Sequence, residues 1–440
     1  MTEKMKPSGI AWIGDIPQDW NIKRVKYLAS LKGRIGWQGL TSDEYIDEGP
    51  YLITGIDFQN GGIDWNNCVH ISEERWAEAP EIHIQNGDLL ITKDGTVGKV
   101  AIVSGLEGKA SLNSGVLLIR TNPDFDKRFL FWVLQSEEFW TWFRLKNAGN
   151  STIIHLYQGD FAEFSYTFPN VTEQRAIADF LDAQCSKIDS IIADIEKQIE
   201  TLQKYKKSLI TETVTRGLDR SVPMKDSGIE WIGEIPSSWK VEPIKYRVDF
   251  FNGDRGENYP SKAEMLSEGV PFINAGHLLN DGLDMENMDY ISEEKYKVMG
   301  GVKLRKGDIL YCLRGSVGKN AILDINRGTV ASSLVALRSR SISAKFLYYS
   351  LNSHIDEVQR FLWDNGTAQP NLSAENLGKF KVCIPNRQEQ DIIIEFLDEK
   401  CSVVDDIVES KTQALDTLQQ HKKSLIYEYV TGKKRVTEVN

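Results

Sequence analysis

The chain repeats itself, and this duplication constrains its fold more than any other feature of the sequence. Residues 8–17 are SGIAWIGDIP, and residues 227–236 are SGIEWIGEIP. Two further pairs of segments match in the same way, 87–102 with 307–322 and 173–210 with 389–426. Because the three segments keep the same order in both halves, the sequence predicts two copies of one structural unit.

Each copy divides into two parts of different composition. The first part mixes short β-type runs with Gly, Asn and Asp turns and carries one predicted amphipathic helix, near 129–143 or 346–361. The second part, 172–215 or 387–430, contains no Gly or Pro and has apolar residues at heptad spacing. We therefore predict an α+β protein with globular domains over 1–170 and 223–386 and helical segments over 171–222 and 387–440.

The heptad rows predict a seam on each long helix. The first row is Leu181, Ile188, Ile195, Leu202 and Leu209, and the second is Leu397, Val404, Leu418 and Leu425, interrupted by Lys411. One such seam is typical of a core helix or a homodimer zipper. Two matching seams favour an antiparallel coiled coil within the chain, with internal pseudo-twofold symmetry, because a compact domain separates the helices. At 1.5 Å per residue each helix would be roughly 65 Å long.

The cysteines and histidines of the sequence form no recognisable metal-binding or redox motif. The five cysteines include no CxxC pair and the six histidines form no HExxH, so we expect reduced thiols and no metal. Cys185 and Cys401 lie on the predicted seam and are interpreted as packing residues.

Two motifs resemble catalytic signatures incompletely. Residues 122–125, NPDF, differ from the NPP[FY] motif of adenine methyltransferases by an Asp, and Asn and Asp before a helix are typical caps. The segments GTVGK (95–99) and GSVGK (315–319) lack the spacing and the hydroxyl residue of a phosphate-binding loop. They are either glycine-bearing turns or turns that bring Lys99 and Lys319 to phosphates.

Charge and hydropathy limit the partners. A net charge of -11 argues against strong DNA affinity, which comes largely from Lys and Arg. A DNA-binding chain this acidic must concentrate its cations locally or use those of partners. The sequence has no apolar run long enough to cross a membrane, and its first residues are polar. We therefore expect a cytoplasmic protein.

Three features together, SGIxWIGxIPxxW, GD[IL]L and the helix from EQ to KKSLI, resemble the specificity subunit of Type I restriction-modification enzymes over essentially the whole chain. The resemblance implies a non-catalytic protein with two target recognition domains, each reading one part of a split DNA sequence, and helices that set the gap. It also implies partners: two copies of an adenine-methylating modification subunit and two copies of a restriction subunit that acts as translocase and nuclease. We expect no cofactor on this chain, with S-adenosylmethionine, ATP and Mg only on the partners.

Loops that differ between the copies and carry polar or cationic side chains are the candidates for contact with DNA. The candidates in the first copy are Lys32, Arg34, Trp37, Gln38, Lys93, Lys99, Asn113 and Ser114, with Asn147, Asn150 and Ser151 as weaker additions. Those in the second copy are Asn252, Arg255, Asn258, Tyr259, Arg314, Lys319, Ser332, Ser333, Thr367, Gln369 and Asn371. For each the alternative is a solvated loop residue. Because the two recognition domains differ most in their middle portions, we expect an asymmetric target.

The helices offer further candidates. Cations near the helix ends would favour phosphate or an acidic partner, or would complement the helix dipole: Lys204, Lys206, Lys207, Lys422 and Lys423. The polar faces of the helices are expected to dock the modification subunits, and they include Glu173, Gln174, Glu389 and Gln390 at the helix starts. Two rival hypotheses remain at this stage, a non-DNA-binding adaptor that holds proteins on a coiled-coil rod, and an autonomous methyltransferase or nuclease.

Overall fold

A computed structural model describes residues 4–34, 39–148, 154–254, 256–279, 282–363 and 371–436. The chain forms two compact units. The first unit combines Met1–Ile195 with Gln413–Asn440, and the second unit is Glu196–Thr412. Each unit therefore contains parts of both long helices. Among the helices of the described residues, none combines the length and hydropathy needed to cross a lipid bilayer.

The first unit is an α+β domain. Its strands are β1 (Met5–Pro7), β2 (Asp15–Pro17), β3 (Asn21–Arg24), β4 (Ala29–Gly33), β5 (Ile46–Ile53), β6 (Phe58–Gln59), β7 (Gly62–Ile63), β8 (Val69–His70), β9 (Leu89–Thr92), β10 (Val100–Ile102), β11 (Ala110–Leu112), β12 (Val116–Thr121) and β13 (Ser165–Phe168). Its short helices are α1 (Glu73–Ala77), α2 (Lys127–Gln135), α3 (Glu137–Lys146) and α4 (Gln158–Glu163). The long helix α5 (Val171–Arg216) begins in this unit.

The second unit is built in the same way. Its strands are β14 (Met224–Asp226), β15 (Glu234–Pro236), β16 (Lys240–Pro243), β17 (Val248–Asn252), β18 (Val270–Ile273), β19 (Tyr290–Ile291), β20 (Ile309–Cys312), β21 (Asn320–Ile322), β22 (Thr329–Val330), β23 (Leu334–Ser339) and β24 (Lys381–Ile384). Its short helices are α6 (Glu293–Val298), α7 (Ala344–Leu351), α8 (His354–Trp363) and α9 (Ala374–Gly378), and the long helix α10 (Arg387–Val430) begins here.

The sheet topology of the two units is the same. In the first unit β10, β9, β12 and β4 form an antiparallel sheet in that order, and β11, β5 and β8 form a second sheet in which β5 and β11 are parallel. In the second unit the corresponding orders are β21, β20, β23, β17 and β22, β18, β19. The duplication in the sequence is therefore a duplication of the fold.

The central strand of each four-stranded sheet is buried on both faces. In β9, Leu89 and Ile91 pack into one core with Phe129, whereas Leu90 packs into a second core with Ile53. Successive side chains of a strand point to opposite faces, so a strand covered on both sides is apolar at every position. This explains why LLIT at 89–92 shows no alternation of polar and apolar residues.

The repeated GD segment is a charge-paired turn. Asp88 accepts two hydrogen bonds from Arg120, at 2.8 Å from Nε and 2.7 Å from Nη2, and the Gln85 amide donates to the same carboxylate (2.8 Å). Asp308 is bound in the same way by Arg338 (2.8 and 2.7 Å). The carboxylate thus ties the turn before β9 or β20 to the neighbouring strand, and its bidentate partner satisfies a nearly buried charge.

The prediction of one amphipathic helix in each globular part is wrong, because two helices are present there. In the first unit α2 ends at Gln135, and the next residue, Ser136, has an extended backbone (φ -81, ψ 161) and a hydroxyl that donates to the Val133 carbonyl at 2.7 Å. The hydroxyl thereby satisfies a carbonyl of the last turn. The break lets α3 place Phe139 in the same core as Phe129. In the second unit α7 and α8 are separated likewise, at residues 352–353.

In the first unit the beginning of α5 packs against the end of α10. The rings of Phe180 and Tyr429 lie 4.5 Å apart, and Lys422 Nζ lies 2.6 and 2.7 Å from the two carboxylate oxygens of Asp189. Because a later residue of α5 meets an earlier residue of α10, the two segments are antiparallel. The residues they bury together are Ile177, Ala178, Leu181, Cys185, Ile188, Leu425, Ile426 and Val430.

In the second unit the end of α5 packs against the beginning of α10. Lys206 Nζ lies 2.6 Å from each carboxylate oxygen of Asp405, and Lys411 donates to Gln198 Oε1 at 2.6 Å. Lys411, which interrupts the heptad row, is thus satisfied by a polar partner. The buried residues here are Ile210, Val214, Ile393, Leu397, Cys401 and Val404, whereas Leu202 and Leu209 are half-buried. Of the heptad residues in the first unit, Ile195 and Leu418 are also half-buried. Burial raises the pKa of Cys185 and Cys401 to about 11, so both are protonated thiols that pack.

In the first unit the end of α10 packs against the repeated N-terminal motif. In the first unit Trp20 is fully buried and packs edge to face with Phe129. The end of α10 reaches the same core, where Thr167 Oγ1 donates to the Val430 carbonyl (3.1 Å) and Tyr427 Oη donates to the Trp12 carbonyl (3.0 Å). The last turns of α10 therefore complete the fold of the first unit.

Each long helix is tied to its globular part at its start by a buried glutamine. Gln174 accepts a hydrogen bond from the Asp126 amide (2.9 Å) and donates to the Pro169 carbonyl (2.9 Å). Gln390 accepts from the Ser343 amide (2.8 Å) and donates to the Pro385 carbonyl (3.0 Å). Both side chains are nearly inaccessible, which explains structurally why EQ recurs at both helix starts.

Candidate nucleic-acid interface

Predicted site residues of the first unit meet at one end of its sheets. The Lys93 amide donates to the Gly115 carbonyl (2.8 Å), and the Asn113 amide donates to the Ile53 carbonyl (3.0 Å). Lys99 Nζ donates to the Gly55 carbonyl at 3.4 Å. The loops at 54–57, 93–99 and 113–115 are thereby joined, and we call them the first edge. It carries Lys93, Lys99, Asn113 and Ser114, of which Lys99 and Ser114 are exposed.

The turn that carries Lys99 is held by Thr92 from β9. The Gly98 amide donates to the Thr92 carbonyl (2.9 Å), and the Lys99 amide donates to Thr92 Oγ1 (3.0 Å). Gly98 has a φ of 85°, and a Cβ added there would collide with the Trp140 indole. Glycine is required because the backbone is left-handed and lies directly on an aromatic ring. The turn therefore holds the backbone of Lys99 in a fixed position at the first edge.

The corresponding residues of the second unit also meet at one end of its sheets. The Leu313 amide donates to the Ser333 carbonyl (2.8 Å), and Lys319 Nζ donates to the Ala275 carbonyl (3.4 Å). Arg314 and Asn371 form an antiparallel β-bridge. We call the loops 274–277, 313–319 and 331–333, together with Asn371, the second edge. It carries Arg314, Lys319, Ser332, Ser333 and Asn371.

Other candidates of the second unit have their own contacts. Asn252 ends β17, and the neighbouring Gly253 lies so close to the carbonyls of Val330 and Ala331 that a Cβ would collide with them. Asn252 therefore borders the second edge. Asn258 Nδ2 donates to the Val298 carbonyl (3.2 Å), and the Tyr259 ring packs edge to face on Phe272. Both remain exposed, on a separate loop.

Arg34 is placed differently from the prediction. Its side chain is 4% exposed, Nε donates to the Leu112 carbonyl (2.7 Å) and Nη2 donates to Ser111 Oγ (2.9 Å). Burial lowers the pKa of this guanidinium. Arg34 thus binds the end of β11 and supports the first edge from within, and we do not retain it among the DNA contacts. Lys32, on β4, is exposed.

Some predicted residues fall outside the described part of the chain. These are Trp37, Gln38, Asn150, Ser151, Arg255, Thr367 and Gln369. The weaker candidate Asn147 is described, and its Nδ2 donates to the Phe143 carbonyl at 2.9 Å, as in a helix C-cap.

The lysines near the helix ends are largely engaged within the protein. Lys206 and Lys422 bind Asp405 and Asp189, and Lys207 pairs with Glu357. Lys204 pairs with Glu200 one turn earlier (2.5 Å). These ion pairs account for the four lysines without a phosphate.

The prediction that Gln174 and Gln390 dock partners at the helix starts is wrong. Both side chains are buried and hydrogen-bonded to the globular part of their own unit, as described above.

The NPDF segment is a turn before a helix. Asn122 Nδ2 donates to the Tyr27 carbonyl (3.1 Å), and the Phe125 ring packs on Phe168 at 5.0 Å. The cap of α2 is the following residue, Asp126, which accepts from the Arg128 and Phe129 amides. Within the described residues no group of three or more His, Cys, Asp or Glu is arranged to hold a metal.

Sequence reasoning missed a polar pair that distinguishes the two edges. In the first edge His155 Nδ1 contacts the Asp94 carboxylate. The positions that correspond in the second edge hold Arg314 and Asn371. The signal available in the sequence was the replacement of an acid by a base directly before the repeated glycine of the turn, at 94 and 314.

The comparisons with known proteins agree with this architecture. The family model described as "Type I restriction modification DNA specificity domain" matches twice, at residues 17–201 and 236–420. The chain therefore belongs to this family and carries two copies of its domain. The family supports the DNA-specificity interpretation and gives no support to the adaptor alternative.

Individual relatives match over nearly their full length. The MjaVIII specificity subunit of a Type I restriction enzyme from Methanocaldococcus jannaschii is 26% identical over 97% of this chain and 95% of its own. A putative MjaX specificity subunit from the same organism is 27% identical over 96% of both chains. A solved structure described as "Structural basis underlying complex assembly and conformational transition of the type I R-M system" superimposes with a TM-score of 0.67 at 16% identity, covering 95% of this chain and 99% of that one. The last likeness concerns the fold alone.

Proposed function

We propose that this chain is the non-catalytic subunit that selects the DNA sequence of a Type I restriction-modification complex. Each unit reads one half of a bipartite target through its edge. The observation that carries the proposal is that two copies of one family domain present unlike loops at equivalent places: Lys93 and Asp94 in the first edge correspond to Leu313 and Arg314 in the second. Edges with different hydrogen-bonding groups select different bases, so the target is asymmetric.

Membership of the family supports a proposal about the partners. We propose that the long helices set the gap between the half-sites and dock two modification subunits, and that two restriction subunits complete the complex in the cytoplasm. S-adenosylmethionine, ATP and Mg belong to those subunits and none is bound by this chain. The net charge of -11 and the internal pairing of Lys206 and Lys422 support a division of labour in which partner subunits supply much of the phosphate contact.

A selection experiment tests the proposal. The chain is assembled with its modification subunit and incubated with a pool of randomised duplexes, and the retained DNA is sequenced. We expect enrichment of one sequence with two specified parts separated by an unspecified gap. An adaptor would enrich nothing, and enrichment of a symmetric or continuous sequence would contradict two unlike reading edges.

Lys99 provides a quantitative test of phosphate contact at the first edge. We expect Lys99→Gln to weaken binding by a similar factor for specific and random duplexes and to reduce the slope of log K against log[salt] by about 1, because one released counterion is lost. The measurement is a salt titration of binding by the assembled complex. Lys109→Gln is the matched control, since Lys109 pairs with Glu73 at the opposite end of β11. An unchanged slope in the Lys99 variant would exclude the contact.

A further inference from the structure

The second edge rests on a charged network that the first edge lacks. The turn 315–319 lies above α8, and a Cβ added to Gly318 would collide with the Arg360 guanidinium. A surface pocket of ≈ 350 Å³ opens beside this contact and is lined by Ser316, Val317, Arg360 and Asn371, among others. Arg360 therefore lies directly beneath the loops that we assign to the second half-site.

Arg360 is held by two partners on opposite sides. Its Nε donates to Asp356 Oδ2 at 2.7 Å, and its Nη1 donates to the Val317 carbonyl of the turn at 3.1 Å. Asp356 is 2% exposed and also accepts a hydrogen bond from Tyr311 Oη, on β20, at 2.9 Å. The planar guanidinium thus links a buried carboxylate to the backbone of the turn, which a lysine cannot do with the same geometry.

The first edge has a neutral support at the equivalent place. There the left-handed Gly98 lies against the Trp140 indole, and Ile91 occupies the strand position that corresponds to Tyr311. The two copies therefore share the turn but not what holds it. Loss of the charge beneath the turn therefore removes a support that is present in the second copy and replaced by an aromatic ring in the first.

We propose that Tyr311, Asp356 and Arg360 are positioning residues for the second half-site. They hold the turn 315–319 so that Arg314, Lys319 and their neighbours meet the bases in one fixed arrangement. This inference rests on the proposed function, and it adds that the accuracy of the second half-site depends on an ion pair beneath its turn, whereas the equivalent turn of the first copy lies on an aromatic ring.

The ionisation of Asp356 offers a way to loosen the network without a mutation. The ionisable groups that face Asp356 are Tyr311 from β20 and Arg360 and Glu357 from its own helix, and Glu357 in turn pairs with Lys207 of α5. Burial raises the pKa of Asp356 to about 6, against the opposing effect of Arg360. Below that pH the carboxyl is neutral and its attraction for Arg360 is lost.

The direction of the linked stability change separates positioning from folding. A carboxyl whose pKa is raised in the folded state favours the fold more as the pH falls through that value, because the folded form takes up the proton first. Acidification through pH 6 therefore weakens the support of the turn while this group stabilises the second unit. A purely structural role would not produce loss of accuracy together with unchanged or greater stability.

The test uses the chain assembled with modification subunits and three duplexes. One duplex carries the selected target, one carries a scrambled first half-site, and one carries a scrambled second half-site. We expect Arg360→Gln to reduce discrimination against a scrambled second half-site about tenfold and to leave discrimination at the first half-site unchanged. Arg144→Gln is the control, because Arg144 is an exposed arginine on α3, the equivalent helix of the first unit. Unchanged accuracy at the second half-site, or equal loss at both, would overturn the proposal.

A second experiment uses the wild-type complex, so its result does not depend on whether a variant folds. Between pH 7 and pH 5 we expect discrimination at the second half-site by the wild-type complex to fall. In the Asp356→Asn variant we expect this discrimination to be low and independent of pH over the same range. The same fall with pH in wild type and in Asp356→Asn at the second half-site would refute the positioning role. If the wild-type complex discriminates neither scrambled duplex, the proposed function itself fails, which is a separate result.

Discussion

Seven residues inserted into each long helix will move the two modified adenines apart by about three base pairs, if α5 and α10 set the gap as we propose. Seven residues lengthen a helix by about 10.5 Å and preserve the heptad seam, and one base pair occupies about 3.4 Å of duplex. The insertions belong between Glu200 and Thr201 and between Ser410 and Lys411. These points match across the seam, because Lys206 binds Asp405 and Lys411 binds Gln198.

Sequencing of methylated DNA from cells that carry the whole system measures this gap directly. We expect both half-sites to keep their bases, since neither edge is altered. An insertion in α5 alone is the control: the Asp189–Lys422 and Lys206–Asp405 pairs then require different registers of the two helices, and we expect modification to be abolished rather than the gap changed. An unchanged gap in the double insertion, with modification retained, would show that the helices do not determine the spacing.

Ile426→Asp will unfold the first unit and leave the second unit folded. Ile426 is 4% exposed and belongs to the core that contains Trp20 and Leu181. A carboxylate placed in this apolar core loses its hydration, and an uncompensated buried charge costs on the order of 3–5 kcal/mol, a large share of the stability of a domain. Although Ile426 lies far along the chain, its core is that of the N-terminal half.

Hydrogen exchange, measured separately for peptides of the two units, tests this prediction. Ile210→Asp is the mirror variant, because Ile210 occupies the equivalent position on α5 and belongs to the core of the second unit. We expect it to deprotect the second unit. Ser424→Asp, on the exposed face of α10, should change neither. Loss of protection in the second unit on substitution of Ile426 would contradict the assignment of the helix end to the first core.

Much of the fold was predictable from local patterns. The heptad rows identified both long helices, and the structure begins and ends them within two residues of 172–215 and 387–430. The runs at 89–92 and 116–119 are strands because they combine β-branched or aliphatic residues with flanking turns. These features depend on neighbours in the sequence, so a single chain is enough to infer them.

The candidate site was predictable only in part. Lys93, Lys99, Asn113 and Ser114 do meet at one edge, but Arg34 points into the protein because its partners, Ser111 and Leu112, lie on a strand far along the chain. Polarity alone cannot distinguish a cation that contacts solvent from one that binds a distant carbonyl. The break at Ser136 was missed for a related reason, since a hydroxyl that caps its own helix is indistinguishable by periodicity from one on a polar face.

The sequence by itself determined that this protein is a duplicated α+β unit with a long heptad-bearing helix in each copy, because repeats and periodicity are written locally. Only the tertiary structure decided which core each helix end completes and what supports each turn. Ile426 joins the core of the N-terminal half, and Arg360 rather than an aromatic ring lies beneath the second turn. Such contacts join residues far apart in the chain, and they are selected by the burial of shared surface and the pairing of charges, which no local pattern records.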